Sequence, residues 1–319
     1  MDNDKLVPAR RIAIPGYLSQ AARACLSAPL IDDVAYPALD DKAGWRSHIS
    51  AMEAMIVAAM AGGPQPVPAA VAMRTAGSVP VFDITPASAA ANSRGVILET
   101  HGGALILGGG EVCRINASAF AERMQRRVWA VDYRMPPDHP YPAPLDDCVA
   151  AYRALLEEVP AEEIFISGMS AGGNLAAALI LRARDEGLPL PAGAILLTPE
   201  ADLTESGDSV STNAGVDTVP ASLMPVNLLY ANGHDLAHPY LSPLFGDFTK
   251  GYPPTILTTG TRDIFLSNTV RLHRALRRAG VAAELHVIDA CGHVQFPHSP
   301  EEAEIDGEIR RFIGRILGE

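Results

Sequence analysis

Cysteine is scarce and scattered: 319 residues contain four, Cys25, Cys113, Cys148 and Cys291. They show neither C-x-x-C spacing nor a disulfide framework, a pattern suited to a reducing cytoplasm, which is the expected location. Positive charge is in deficit. Lys and Arg number 25 against 37 Asp and Glu, a net charge of −12, which argues against a nucleic-acid partner and against an anionic membrane surface. Long apolar runs are missing. The stretch Ala51 to Gly62 contains Glu53 and is too short to span a bilayer; it reads as an amphipathic lid helix. From Met1 to Gly16 the chain carries Lys5, Arg10 and Arg11 without a continuous apolar segment, so no secretory signal is expected there. Aromatic residues are only 6 % of a composition that is 48 % hydrophobic. Repeats and low-complexity tracts are absent, and the length suits one α/β domain over 1–319 with an appended lid.

A metal motif is also lacking. His234 and His238 stand four apart near Asp235, but Gly233 and Pro239 indicate a loop, and no second carboxylate-rich cluster accompanies them. Neither metal nor cofactor is expected.

The chemistry-bearing signal is Gly168-Met169-Ser170-Ala171-Gly172. The apolar run Ile164 to Ser167 precedes it and reads as a buried strand; Asn174 to Arg184 reads as a helix. G-x-S-x-G between strand and helix is a nucleophile elbow, whose glycines allow a strained serine and a close strand–helix approach. A serine nucleophile needs a base, an acid to orient that base, and an oxyanion hole. In the order Ser, acid, His, the candidates are Asp263, after the strand reading Pro254 to Gly260, and His293, on a loop after the alternating strand Ala283 to Asp289. A helix over roughly Ser267 to Ala279 fits between them. All three groups are then expected on one edge of a parallel sheet. The strand Arg94 to Thr100 leads into His101-Gly102-Gly103-Ala104, an HGGG-like element. The backbone N–H groups of Gly102, Gly103, Ala104 and of Ala171 are the oxyanion-hole candidates.

Taken in order, His101-Gly102-Gly103-Ala104, Asp132-Tyr133-Arg134, the run Pro136 to Pro142, Asp146-Asp147 before a helix, Gly168 to Gly173 and Asp202-Leu203-Thr204 resemble the bacterial hormone-sensitive-lipase family of carboxylesterases, within the α/β-hydrolases. The resemblance covers roughly Val96 to Leu317. It implies an α/β-hydrolase fold with a mostly parallel eight-stranded sheet flanked by helices. It also implies a helical cap from about 1–60 and 205–240, and a possible homodimer through the last strand near Glu284 to Ile288. Two positions depart from the family pattern. Met169 replaces Asp or Thr and removes any polar contact from that position. Ala104 replaces Gly, which costs about 1 kcal/mol if the backbone there has positive φ, and otherwise only narrows the site.

The function implied is a serine carboxylesterase acting on short- to medium-chain acyl esters, with a small-molecule ester as partner. A lactonase, amidase or thioesterase would use the same triad. A receptor-like binding protein is the other alternative, since plant gibberellin receptors resemble this family without the catalytic histidine, whereas His293 is present here. A long-chain lipase would need an extended apolar lid, which is not visible.

Other residues read as structural. His101 is expected to shape the oxyanion loop, His139 to pack, and Cys291 to fill core space. His298 is the rival to His293. Glu200 is expected to be a solvated or salt-bridged loop residue, and Gly62 to Val81 a Pro- and Ala-rich linker into the sheet.

Overall fold

In the computed structural model, which describes residues 9, 11–29, 34–61, 69–89, 93–220 and 222–319, two helices lead into the sheet. These are α1 (Gln20–Leu26) and α2 (Lys42–Ala61). The sheet opens with a hairpin, β1 (Ala69–Ala76) and β2 (Val79–Pro86), paired antiparallel with Ala76 opposite Val79. Gly77 at φ +63 supplies the left-handed backbone of the two-residue turn. The linker expectation is therefore corrected from Ala69 onward. Residues 62–68, like most of the segment from Met1 to Gly16, lie outside the described residues.

The rest alternates strand and helix: β3 (Val96–Thr100), α3 (Glu111–Met124), β4 (Arg127–Val131), α4 (Ala143–Leu156), β5 (Ile164–Met169), α5 (Ala171–Asp185) and β6 (Gly193–Leu197). Between β6 and the next strand lie two short helices, α6 (Asp208–Thr212) and α7 (Met224–Ala231). The chain then returns to the sheet as β7 (Thr255–Gly260), α8 (Leu266–Arg278), β8 (Ala283–Ile288) and α9 (Pro300–Leu317). Asp146 and Asp147 fall inside α4 rather than before it. The strand order is β1-β2-β4-β3-β5-β6-β7-β8, parallel from β4 to β8, so the eight-stranded, mostly parallel sheet is as expected.

Strand composition follows from burial on both faces. Along β5, Ile164 and Ile166 join the cluster under α4, α5 and α8, while Phe165 between them joins the cluster under α3 and α9. Leu98 and Ile97 divide in the same way. The side-chain period of two thus gives each strand residue a helical layer to pack against. Helix α9 closes the fold with complementary ends. Ser299 caps Glu302 N at 3.1 Å, Pro300 opens the helix, and Gly318 leaves it at φ +72.

Two smaller clusters tie the peripheral helices to loops at the carboxyl ends of the strands. Leu18 and Ala22 of the α1 region pack on Ala290, Cys291 and Phe296, the loop carrying His293. Trp45 of α2 and Val226 of α7 pack with Ile106 and Leu107, just beyond the glycine pair of the HGGG-like loop. Among the described residues, no helix is long and apolar enough to cross a membrane.

Candidate active site

The elbow forms because β5 runs directly into α5. Ser170 sits between them at φ 59, ψ −125, a backbone that L-residues rarely adopt. Crowding enforces this shape. A Cβ on Gly172 would come within 2.0 Å of Thr100 O, so only glycine lets α5 start this close to β3. Thr100 reinforces the approach by donating its hydroxyl to Gly172 O at 2.7 Å.

Ser170, Asp263 and His293 converge. His293 Nε2 lies 2.8 Å from Ser170 Oγ, and its Nδ1 lies 3.2 Å from Asp263 Oδ1. All three are buried. The Asp263 carboxylate also accepts from Thr198 Oγ1, from Thr259 Oγ1 at 2.7 Å and from Phe265 N at 2.8 Å. Burial pushes the Asp263 pKa up, but His293 and the two threonine hydroxyls outweigh it and hold the carboxyl below its ordinary range. For His293, burial favours the neutral ring. The hydrogen bond to Asp263 and the charges of Asp263, Asp217 and Glu200 prevail and raise its pKa. Phe265 meets the imidazole edge-on at 4.9 Å and restricts its rotation.

The HGGG-like loop lies against this elbow. A Cβ on Gly102 would stand 3.6 Å from Ser170 Cβ, and Gly103 at φ +128 leaves only 2.1 Å between such a Cβ and Leu107 O. Ala104 has φ 51, so the departure from Gly does carry the left-handed cost of about 1 kcal/mol. Among the described residues, no acceptor takes the N–H of Gly102, Gly103 or Ala104. Ala171, as the first residue of α5, contributes another N–H at a helix amino end. His101 shapes the loop as expected of it. Its ring stacks on Tyr133 at 4.0 Å, Tyr133 donates its hydroxyl to His101 O at 2.7 Å, and burial lowers the imidazole pKa to about 4.

The α/β-hydrolase fold model matches residues 97–297, a stretch running from the HGGG-like loop past His293. The chain belongs to the α/β-hydrolase family. Its structural likeness to a hormone-sensitive lipase from a metagenome library (31 % identity, TM-score 0.78, covering 93 % of this chain and 96 % of that one) places this hydrolase in the bacterial hormone-sensitive-lipase branch. A crystallised esterase is similar over 98 % of this chain and 99 % of its own, at 33 % identity and TM-score 0.89. An acetyl-hydrolase from Streptomyces hygroscopicus is 37 % identical over 187 residues, 58 % of this chain and 62 % of that protein. An esterase from Acinetobacter venetianus is 36 % identical over 201 residues, 60 % of this chain and 65 % of that protein. The chain thus spans less than two-thirds of the length of these curated relatives.

The hydrolase holds further residues at the site that no short motif marks. Thr198, directly after β6, reaches both partners: its Oγ1 is 2.9 Å from His293 Nδ1 and donates to the Asp263 carboxylate. Asp217, between α6 and α7, accepts the backbone N–H of His293 at 3.0 Å and of Ile264 at 2.8 Å. Glu200 corrects the expectation of a solvated or salt-bridged residue. It is fully buried, has no salt bridge among the described residues, and burial raises its carboxyl pKa to about 8. Its N–H donates to Ser170 O at 3.1 Å, because β5 and β6 are neighbours and their loops leave the same edge.

Among the described residues, His298, His139 and His234 make no hydrogen bond to Ser170, Asp263 or His293. His298 is exposed at φ 61, with its backbone N–H on Glu302. His139 is exposed rather than packed. His234 packs on Tyr141 at 5.0 Å, and no metal-holding group of His, Cys, Asp or Glu occurs among the described residues. Burial pushes the Cys291 thiol up, away from nucleophilic use.

Proposed function

We propose that this hydrolase is a serine carboxylesterase acting on short- to medium-chain acyl esters through an acyl-enzyme. The observation that carries the reading is the relay from Ser170 Oγ to His293 Nε2 at 2.8 Å and from His293 Nδ1 to Asp263 at 3.2 Å. In this mechanism His293 removes the Ser170 proton as Oγ attacks the ester carbonyl, and returns it to the leaving alkoxide. Asp263 holds the ring and stabilises the imidazolium. The N–H groups of Gly102, Gly103, Ala104 and Ala171 surround the developing oxyanion, where loss of a single donor typically costs about 10²–10³-fold in kcat. Water then attacks the acyl-enzyme with His293 again as base, and carboxylate leaves. The names of the relatives, esterase and acetyl-hydrolase, support ester hydrolysis. Helices α1 and α2 and the segment bearing α6 and α7 form the cap in this reading, and a small ester is the partner.

The test is hydrolysis of p-nitrophenyl esters, from acetate to palmitate, by wild type and Ser170→Ala. Turnover should be greatest on the short and medium acyl chains and fall by about 10⁶-fold in the variant. Ester turnover unchanged in Ser170→Ala would overturn the assignment.

A further inference from the structure

His293 has two acceptors on the Nδ1 side of its ring, and the nearer one is not the acid. Thr198 Oγ1 lies 2.9 Å from Nδ1, against 3.2 Å for Asp263 Oδ1. The same hydroxyl donates to the other carboxylate oxygen, Asp263 Oδ2. A hydroxyl has a single proton to give. With that proton committed to the carboxylate, Oγ1 turns a lone pair toward the ring. Nδ1 must then carry the hydrogen, which leaves Nε2 bare toward Ser170 Oγ, 2.8 Å away. That is the tautomer a general base needs.

The backbone gives independent support to a use for this side chain. Thr198 directly follows β6, is fully buried, and has φ 42. Left-handed backbone is uncommon for a β-branched residue, and such strain clusters where the surroundings over-determine it, often at functional sites. Here the Thr198 N–H donates to Thr258 O at 2.8 Å, which ties the residue to β7, the strand that leads to Asp263. Thr259, the next residue of β7, provides a contrast. Its Oγ1 also donates to Asp263 Oδ2, at 2.7 Å, but among the described residues it makes no hydrogen bond to His293.

We propose that Thr198 is a positioning residue whose hydroxyl bridges His293 Nδ1 and Asp263 Oδ2, and so fixes the tautomer and orientation of the base. This rests on the serine esterase reading above. The acid then acts on the base by two routes, the direct contact through Oδ1 and the bridge from Oδ2. As His293 takes the Ser170 proton, positive charge develops on the ring. Oγ1, polarised by the carboxylate it donates to, faces that charge at the shorter of the two distances.

The experiment compares Thr198→Val, which keeps the branched shape and removes the hydroxyl, with Thr198→Ser, which keeps the hydroxyl and removes the methyl. Two rates are read: hydrolysis of p-nitrophenyl acetate, and sulfonylation of Ser170 by a sulfonyl fluoride, which needs the base but no ester. Thr198→Val should lower kcat and the sulfonylation rate by about 10–100-fold, the range for one hydrogen bond to a charged group, with KM little changed. Thr198→Ser should stay close to wild type. A side chain that only packs would rank the two in the opposite order, because serine leaves a methyl-sized gap and valine does not. Thr259→Val, which costs Asp263 a donor without touching the ring, should fall less than Thr198→Val. If Thr198→Val does not fold, Thr198→Ala, which also lacks the hydroxyl, takes its place in the comparison. Thr198→Val as fast as wild type, Thr198→Ser as slow as Thr198→Val, or equal losses in the two valine variants would overturn the bridge alone. No ester turnover by wild type, with sulfonylation still ranked as expected, would overturn the esterase reading and leave the bridge standing. No sulfonylation of wild-type Ser170 would overturn both.

Discussion

Asp217 accepts the backbone N–H of His293 through both carboxylate oxygens, at 3.0 and 3.1 Å, while one of them also accepts Ile264 N at 2.8 Å. His293 follows β8, and Ile264 directly follows Asp263 at the end of β7. One side chain from the segment between β6 and β7 thus fastens the two loops that carry the candidate base and its acid. A Cβ on Gly292 would come within 2.8 Å of that carboxylate, so the approach leaves no room for a larger neighbour.

Asp217→Ala should therefore lower both stability and turnover. Two buried N–H groups lose their acceptor, at roughly 1–3 kcal/mol each. Urea unfolding should show a loss of about 2–5 kcal/mol, with kcat falling more than KM rises. Asp217→Asn keeps one acceptor oxygen and should lie between wild type and the alanine variant.

The pH profile should report His293. The base works only when neutral, and its pKa is raised above the ordinary histidine value by Asp263, Asp217 and Glu200 against the opposing effect of burial. The acid limb of kcat/KM should have its midpoint above pH 6.5. Asp263→Asn should lower kcat by up to about 10⁴-fold and move that midpoint downward. An acid limb unmoved in Asp263→Asn would contradict the pairing.

Stability should depend on pH through Glu200. Its folded pKa of about 8 exceeds the unfolded carboxyl value, so the folded state holds a proton that the unfolded state releases. That contribution is fully present below the unfolded pKa and is lost as pH rises through about 8. His101, lowered to about 4, works in the opposite sense, but only below its unfolded pKa of about 6.5. Between about pH 6.5 and 8 the stability of wild type should fall, and Glu200→Gln should reduce that slope by at most one proton, about 1.4 kcal/mol per pH unit. Chemical denaturation at several pH values measures both slopes.

What the sequence made legible was what is encoded locally. Ser170 and Asp263 follow apolar runs that read as buried strands, His293 follows an alternating strand, and His101 to Ala104 follow another strand, so chain order pointed to one sheet edge. What was hidden arises between distant segments. Glu200 looks like any loop acid until β6 is seen beside β5. Asp217 meets His293 76 residues away in sequence. The hairpin of β1 and β2 escaped for a different reason. Most of β1 is exposed, so Ala69 to Ala76 lacks the alternation that marks a half-buried strand. The turn Gly77-Ser78 was the available signal. Ala104 could be judged only once its φ of 51 was known.

Gly172→Ala should disable the elbow. The added methyl would need to move Thr100 O, a backbone atom of a central strand, by more than an ångström. Expected results are a stability loss of about 1–3 kcal/mol or more and an ester turnover near that of Ser170→Ala. Near-parental activity would mean that the close approach of α5 and β3 is not needed for catalysis.

The most direct test of the central claim is to trap the nucleophile. Wild type and His293→Gln are incubated with a sulfonyl fluoride or an excess of p-nitrophenyl acetate, quenched in acid, digested and mapped by mass spectrometry. The account predicts a single adduct on the peptide containing Ser170 in wild type, and its loss or strong slowing in His293→Gln. A stable adduct on any other residue, or none on Ser170 while the ester is being turned over, would contradict it.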